Sequence, residues 1–522
     1  MSDAFTLLPD AIAARARAYL GDDANTLLLA DPWDLLKVPG IQPEQADHLA
    51  KALLPNANPQ DPRRGRALVG HLLGIAARDG DTALPGAEVV EALKRMRIAD
   101  PVAAINAAIE DGSVVLVMVE PDVPEDADEL PDEEEWLALA RYARAEKAVA
   151  EGVQRLQAAP PLEIPMVHEA ARQAVFHGVS IAVGPAADLV AELAAAPGLA
   201  VAVATATAAA ALEFPGAVSL HALLGAREGG FARGPEFPLE AGLVVVAGAE
   251  ALDVEAAAAL IEACPDGTHL LLIGDPGGLA SHRPGRVLAD LIDSGTIPVT
   301  EFPPDDDPLA HFVEEVRIGA WTEVDAPGHE VVIVPVADGR EAAHRLSQLL
   351  ADSIPRALGI PTSDVQVLTP ALQGTAALNT ALKARLNPGP GACGGFDVGD
   401  RVLVAVPLPG APAGETGTVT AAAADGLTFD SPAGAVKVPA AHLPRLRHGW
   451  AIPVQQAVGT RWPAVIAVFP TADALTQPLA LTAFTRARRH LSVVTAAGPA
   501  LPDAIAAQAP VVRRTRLAGL LR

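Results

Sequence analysis

The sequence predicts an α/β protein in which two parallel sheets carry helices on both faces. A small β-barrel is inserted in the second sheet, and an all-α region containing a helix-hairpin-helix precedes them. Three observations point there. Apolar positions recur at helical spacing through residues 11–20, 43–54, 66–77 and 87–96. From about Ser180, apolar runs at 180–183, 200–204, 243–246, 269–273, 331–334, 365–368 and 464–468 alternate with helical segments, the pattern of parallel strands buried on both faces. Between 396 and 446, short alternating strands at 401–406, 417–421, 427–429 and 435–438 are joined by glycine turns, as in a small barrel.

The helical region comes first. Asp31-Pro32-Trp33-Asp34-Leu35-Leu36-Lys37-Val38-Pro39-Gly40-Ile41 precedes a helix starting near Pro43, so two helices meet at an apolar-Pro-Gly-apolar turn. Gly40 permits the turn and lets backbone N–H groups approach a phosphate. An ordinary helical hairpin is the alternative reading. Residues 120–135 then hold ten carboxylates and three prolines, a self-repelling solvated linker, and a helix is expected from Trp136 to Gln157. The uncharged stretch 193–212 raises a membrane span, but Pro197, Gly198, Thr205 and Thr207 favour a buried strand followed by an Ala-rich helix. Residues 513–522 form a basic tail with Arg513, Arg514, Arg516 and Arg522.

A chain of 522 residues exceeds one core, so three or four domains are expected. Half its residues are hydrophobic and only 20% are charged, which excludes a wholly disordered chain. The net charge of −26 repels a polyanion, so any DNA contact must come from local basic patches. Two cysteines, Cys264 and Cys393, build neither a disulfide framework nor a zinc site, which fits a reducing cytoplasm. No basic, apolar leader opens the sequence.

Several motifs narrow the class. Leu271-Leu272-Ile273-Gly274-Asp275-Pro276 is followed by Gly285-Arg286-Val287-Leu288-Ala289-Asp290. Val365-Gln366-Val367-Leu368-Thr369-Pro370 is followed by Leu378-Asn379 and Leu386-Asn387-Pro388. Thr482-Ala483-Phe484-Thr485-Arg486-Ala487-Arg488-Arg489 closes the series, and Ser219-Leu220-His221-Ala222-Leu223-Leu224-Gly225 precedes it. In this order the chain resembles RecD-like superfamily 1 DNA helicases of the 5′–3′ type with an N-terminal helix-hairpin-helix region, from about residue 28 to 497.

The resemblance implies two RecA-like, P-loop-type domains with ATP and magnesium at their junction and single-stranded DNA across them. It divides the chain into a helical helix-hairpin-helix or winged-helix-like region (1–118) and an acidic linker and helix (119–160). The first RecA-like domain (161–322), the second (323–395 and 447–500), an SH3-like insertion (396–446) and the basic tail (501–522) complete it. The insertion's turns match Gly399-Asp400 and Ala413-Gly414-Glu415-Thr416-Gly417.

The family's chemistry is missing. A phosphate loop needs glycines, a Lys to neutralise charge and a Ser/Thr to hold magnesium. The matching positions read Gly184-Pro185-Ala186-Ala187-Asp188-Leu189-Val190, with Leu189 for the Lys and Val190 for the hydroxyl. The Asp-Glu pair that would bind metal and activate water reads Ala247-Gly248, with Glu250 two residues on. The glutamine before the first strand falls at Ala171, the sensor glutamine at Gly278, and the segment coupling DNA to ATP reads Gln455-Gln456-Ala457-Val458-Gly459. Gly274, Asp275 and Arg486, the last at the family's γ-phosphate arginine, remain. One lost charge stabiliser commonly costs about 2.7–4 kcal/mol, so losing four leaves no turnover.

The reading is a non-catalytic DNA-binding or scaffold protein of DNA repair on a helicase fold, with no cofactor of its own. Its DNA contacts are expected at Pro39 and Gly40, at Arg63, Arg64 and Arg66, at Arg486–Arg489 and at the tail. A protein-interaction module without DNA binding is the alternative, in keeping with the acidic charge, and a working helicase is the third. A protein partner fits either of the first two, and a membrane neither. The histidines show no metal spacing, and Trp450 and Trp462 read as core residues rather than stacking platforms.

Overall fold

In a computed structural model, residues 3–120, 133–164, 167–227, 229–322, 325–371, 374–509 and 512–522 are described. They form two compact units, one of residues 1–150, 283–285 and 513–522, the other of 151–282 and 286–512.

In the first unit, helices Asp10–Leu20, Ala24–Ala30, Pro43–Leu53 and Pro62–Arg78 surround a core that holds Trp33, Leu35, Ile41, Leu49 and Leu68. Asp31 and Asp61 accept backbone N–H groups at the starts of the turn Pro32–Lys37 and of helix Pro62–Arg78, each followed by Pro in the first turn. The expectation of helices alone up to residue 118 is corrected: strands Ala83–Pro85, Val114–Val119 and Glu134–Leu139 form an antiparallel sheet, with Glu134–Leu139 central. Trp136 therefore lies in a strand, and the helix begins at Ala140 and runs to Gln157. Pairing on both edges overrides the helical periodicity of this segment. It places Leu137 in the core beneath the sheet, while Ala138 packs on the other face with Ala83 and Ala143. Most of the acidic run, residues 121–132, lies outside the described residues.

The basic tail is also corrected. Residues 513–522 fold back into this unit, where Arg513 donates to the Gly285 carbonyl at 2.7 Å, Arg514 to Glu88 at 2.9 Å and Arg516 Nε to Glu146 at 3.0 Å. Glu146, 1% exposed, accepts in addition from the Thr82 hydroxyl and the Arg516 backbone N–H. A carboxylate buried this deeply requires such a set of donors.

The second unit contains two parallel sheets. The first lobe orders its strands Val299–Glu301, Val179–Val183, His269–Ile273, Leu243–Ala247, Val201–Thr205 and Val218–Ser219. The second orders Val331–Pro335, Ala487–Thr495, Trp462–Phe469, Val365–Thr369 and Ala451–Pro453. Strand Leu243–Ala247 is buried along its whole length, as expected for an apolar run between helical layers. Helix Pro308–Arg317 packs into the second lobe's core, where Phe312 meets Phe484 and Trp321. The lobe boundary expected at 322 therefore falls upstream, between Glu301 and Pro308.

A five-stranded antiparallel sheet (Gly434–Pro439, Gly426–Ser431, Thr416–Ala423, Arg401–Val404, Leu446–His448) occupies the place of the expected insertion, with its own core around Phe429 and Val402. Lys383 anchors it, bonding Asp397 at 2.7 Å and the fully buried Asp400. Among the described residues no helix is long and apolar enough to cross a membrane, and the stretch 193–212 includes strand Val201–Thr205 and helix Ala208–Ala211.

Candidate nucleotide cleft and nucleic-acid interface

In a parallel sheet, ligands bind beyond the carboxyl ends of the strands, where loops and helix N-termini converge. Strand Val179–Val183 runs into Gly184, which holds φ at +109° because a side chain there would strike the Phe302 carbonyl. Gly184 and Pro185 are exposed, and helix Ala187–Ala194 follows. Leu189 and Val190 do not face the phosphate position: both are buried in the first lobe's core with Leu193 and Val245. Asp188 is exposed in the first turn of that helix. Its carboxylate meets the helix's positive end, the charge that would otherwise favour a phosphate.

At the end of strand Leu243–Ala247, Ala247 is buried and Gly248 turns left-handed at φ +75°. A methyl group on Gly248 would lie 3.1 Å from the Gly459 Cα. The backbone of the second lobe thus rests close against Gly248, and a side chain there would push it back by a few tenths of an ångström. Glu250 folds back beneath Gly274, whose missing Cβ leaves space for Glu250 Oε2. Burial pushes the Glu250 carboxyl above its ordinary range, against the pull of Arg486. Arg486 lies 3.8 Å from Glu250 and donates Nε to the Thr482 carbonyl at 3.1 Å. Asp275 is held by Arg317 in two bonds of 2.5 and 2.9 Å. Burial lowers the Arg317 guanidinium, but Asp275 and Glu314 outweigh it and hold it above the ordinary value.

The structure therefore brings Gly184, Gly248, Gly274, Asp275 and Arg486 to one cleft without assembling a phosphate and metal site. ATP with magnesium does not fit these residues. Leu189 and Val190 stand where the resemblance expects the amine and the hydroxyl, Asp275 is held by Arg317, and Arg486 faces Glu250.

Sequence reasoning missed Arg317, Gly459, the hydrogen bond of 2.7 Å between the Thr207 and Thr460 hydroxyls and the Arg488–Glu213 pair at 2.7 Å. Loss of bulk at Gly248 and Gly459 together was the one readable signal. Nothing local marks Arg317.

In the first unit, Pro39 and Gly40 are exposed at the tip of the hairpin, with Gly40 at φ +79°. The Arg15 guanidinium would be 3.1 Å from a Cβ on Gly40, so a cation unforeseen in the sequence stands beside this turn. The three arginines expected as a basic patch are ion-paired. Arg63 pairs with Asp61 at 3.0 Å, Arg64 with Asp47 at 2.8 Å, and Arg66 with both Asp31 and Asp111. Arg64 is 7% exposed and also donates to the Met96 carbonyl. Trp33 Nε1 shares Asp47, which ties the arginine to the core. These arginines brace the hairpin. Among the described residues no group of three His, Cys, Asp or Glu side chains could hold a metal.

Two parallel α/β sheets stand in one chain with a helix-hairpin-helix region. Residues 7–83 match the family model for the helix-hairpin-helix domain of ATP-dependent RecD2 DNA helicase. The chain is 28% identical over 531 aligned residues to the ATP-dependent RecD2 DNA helicase of Deinococcus radiodurans, covering 91% of this chain and 71% of that protein. It is 39% identical over 82 residues to the RecBCD enzyme subunit RecD of Mycobacterium tuberculosis, 16% of this chain and 14% of that one. Solved structures that it resembles include the Pif1 helicase from Bacteroides with ADP-AlF3 and ssDNA, at TM-score 0.39 and 15% identity over 62% of this chain and 90% of that one. The Pif1 helicase from Candida albicans gives TM-score 0.38 and 13% identity over 63% and 94%. The chain is thus similar over most of its length to a RecD2 DNA helicase, and its N-terminal region to that family's helix-hairpin-helix domain.

Proposed function

We propose that this protein is a pseudo-helicase, a helicase homologue that binds DNA or acts as a scaffold without hydrolysing ATP. The observation that supports the reading is the close approach of Gly459 to Gly248, the position at which the resemblance expects a water-activating carboxylate. The Deinococcus radiodurans relative is named an ATP-dependent DNA helicase, and DNA, single-stranded, is the ligand proposed for this chain. The exposed turn at Pro39 and Gly40, with Arg15 beside it, is the proposed phosphate contact of the first unit. A second reading, a protein-interaction module without DNA binding, draws on the pairing of Arg63, Arg64 and Arg66 with carboxylates.

Isothermal titration with ATP–magnesium and with a short single strand, each alone, tests this. Heat is expected from the strand and none from the nucleotide. Steady phosphate release stimulated by the strand would make the protein a working helicase. Silence with both ligands, together with capture of a protein partner in the absence of nucleic acid, would favour the second reading.

A further inference from the structure

We propose that the two lobes of the second unit are latched shut by the chain's own side chains, so that nucleotide no longer governs their closure. This rests on the pseudo-helicase reading and adds what the lost site does instead. Three kinds of contact cross the cleft. The first is ionic: Asp275 of the first lobe takes two bonds from Arg317, whose helix belongs to the second lobe's core, and Glu213 pairs with Arg488 at 2.7 Å. The second is neutral. Thr207 bonds Thr460 at 2.7 Å, the Leu279 N–H donates to the Thr482 hydroxyl at 2.7 Å, and Gln455 donates to the Ala280 carbonyl at 2.6 Å. The third is steric, Gly248 on Gly459 and Gly459 on Ala206.

These bonds lie where an ATP-driven machine needs a gap that ligand bridges in one state and leaves open in another. A ligand closes two lobes only through contacts that it makes better in the closed state. Here Asp275 and Arg486 are engaged already, so triphosphate has no differential contact left to offer. The Thr207–Thr460 bond, neutral and with both partners buried, is weakly screened by salt and stays made across ionic strengths.

The test is a distance between spin labels on Ala195→Cys in the first lobe and Ala381→Cys in the second, both exposed. The native Cys264 and Cys393 are buried. A single narrow distribution is expected in the full chain without ligand, unchanged by ATP–magnesium or a non-hydrolysable analogue. Combining Arg488→Ala with Thr460→Val is expected to broaden it about twofold, with the fold checked by circular dichroism. A wide or two-peaked distribution in the wild-type chain, or a shift of about 5 Å on adding nucleotide, overturns the latch without reference to any variant. So does a variant that stays as narrow as the wild type. Phosphate release measured on the same samples separates the two ideas. Turnover at a constant distance sinks the pseudo-helicase reading alone, and a nucleotide-driven shift without turnover sinks the latch alone.

Discussion

At Gly459 the backbone sits at φ +79°, and a methyl group there meets the Ala206 Cβ at 2.7 Å. Both facts oppose any side chain. Gly459→Ala is expected to cost about 1–3 kcal/mol, from overpacking and from the left-handed backbone together. It should lower the midpoint of the first transition in urea unfolding; an unchanged midpoint would show that the two lobes do not touch at this residue. The same reasoning applies to Gly248, where restoring a glutamate would separate the lobes before it could activate a water. Arg64 teaches a related lesson. Its neighbours in sequence suggest a phosphate-binding cluster, yet its partner is Asp47, 17 residues away on another helix. A run of arginines states that charge is present and says nothing about which carboxylate claims it.

Among the elements, the parallel strands were the most legible. Leu243–Ala247 is a continuous apolar run, and His269–Ile273 is one after its first residue, because helices cover both faces, and such runs admit few other readings. The sheet of the first unit was not legible. Ala83–Pro85 has three residues, and Glu134–Leu139 follows an acidic run, so neither shows an alternation long enough to count. The antiparallel insertion offers a test by pH. Its Asp397 carboxyl is pulled from 3.8 down to about 2, first by the Lys383 ammonium and then by the Ala392 N–H. A depressed carboxylate favours the fold above its unfolded value, near 3.9, and loses that contribution as pH falls towards its folded value. Hydrogen-exchange protection in Arg401–Val404 is therefore expected to hold down to about pH 4 and to fall between about 4 and 2. Protection already lost near pH 6 would mean that Lys383 does not anchor this sheet.

For the whole molecule, the charge of −26 and the pairing of its arginines set the kind of DNA binding to expect. A phosphate gripped by Arg63, Arg64, Arg66 or Arg488 must displace a carboxylate, so those contacts release few counterions on balance. The slope of log K against log salt is expected to be shallower than about −3, since each neutralised phosphate contributes about −0.9 on a duplex and −0.7 on a single strand. A slope near that of a basic repressor, about −10, would require a cationic surface that the structure does not provide. The proposed loss of nucleotide chemistry rests on Leu189, Val190, Ala247 and Gly248, where the resemblance expects Lys, Ser or Thr, Asp and Glu. What replaces it was not, because Asp275–Arg317 and Thr207–Thr460 join residues far apart in the chain that meet only when the lobes fold together.

Arg516 reaches Glu146 across 370 positions, and this separation has a consequence during synthesis. A ribosome adding about 5–20 residues per second needs roughly 20–75 s to travel that distance. Throughout this interval the helix that bears Glu146 has already emerged, while its counter-ion does not yet exist. The nascent first unit must keep that carboxylate wet until residue 516 has emerged and can complete its interior.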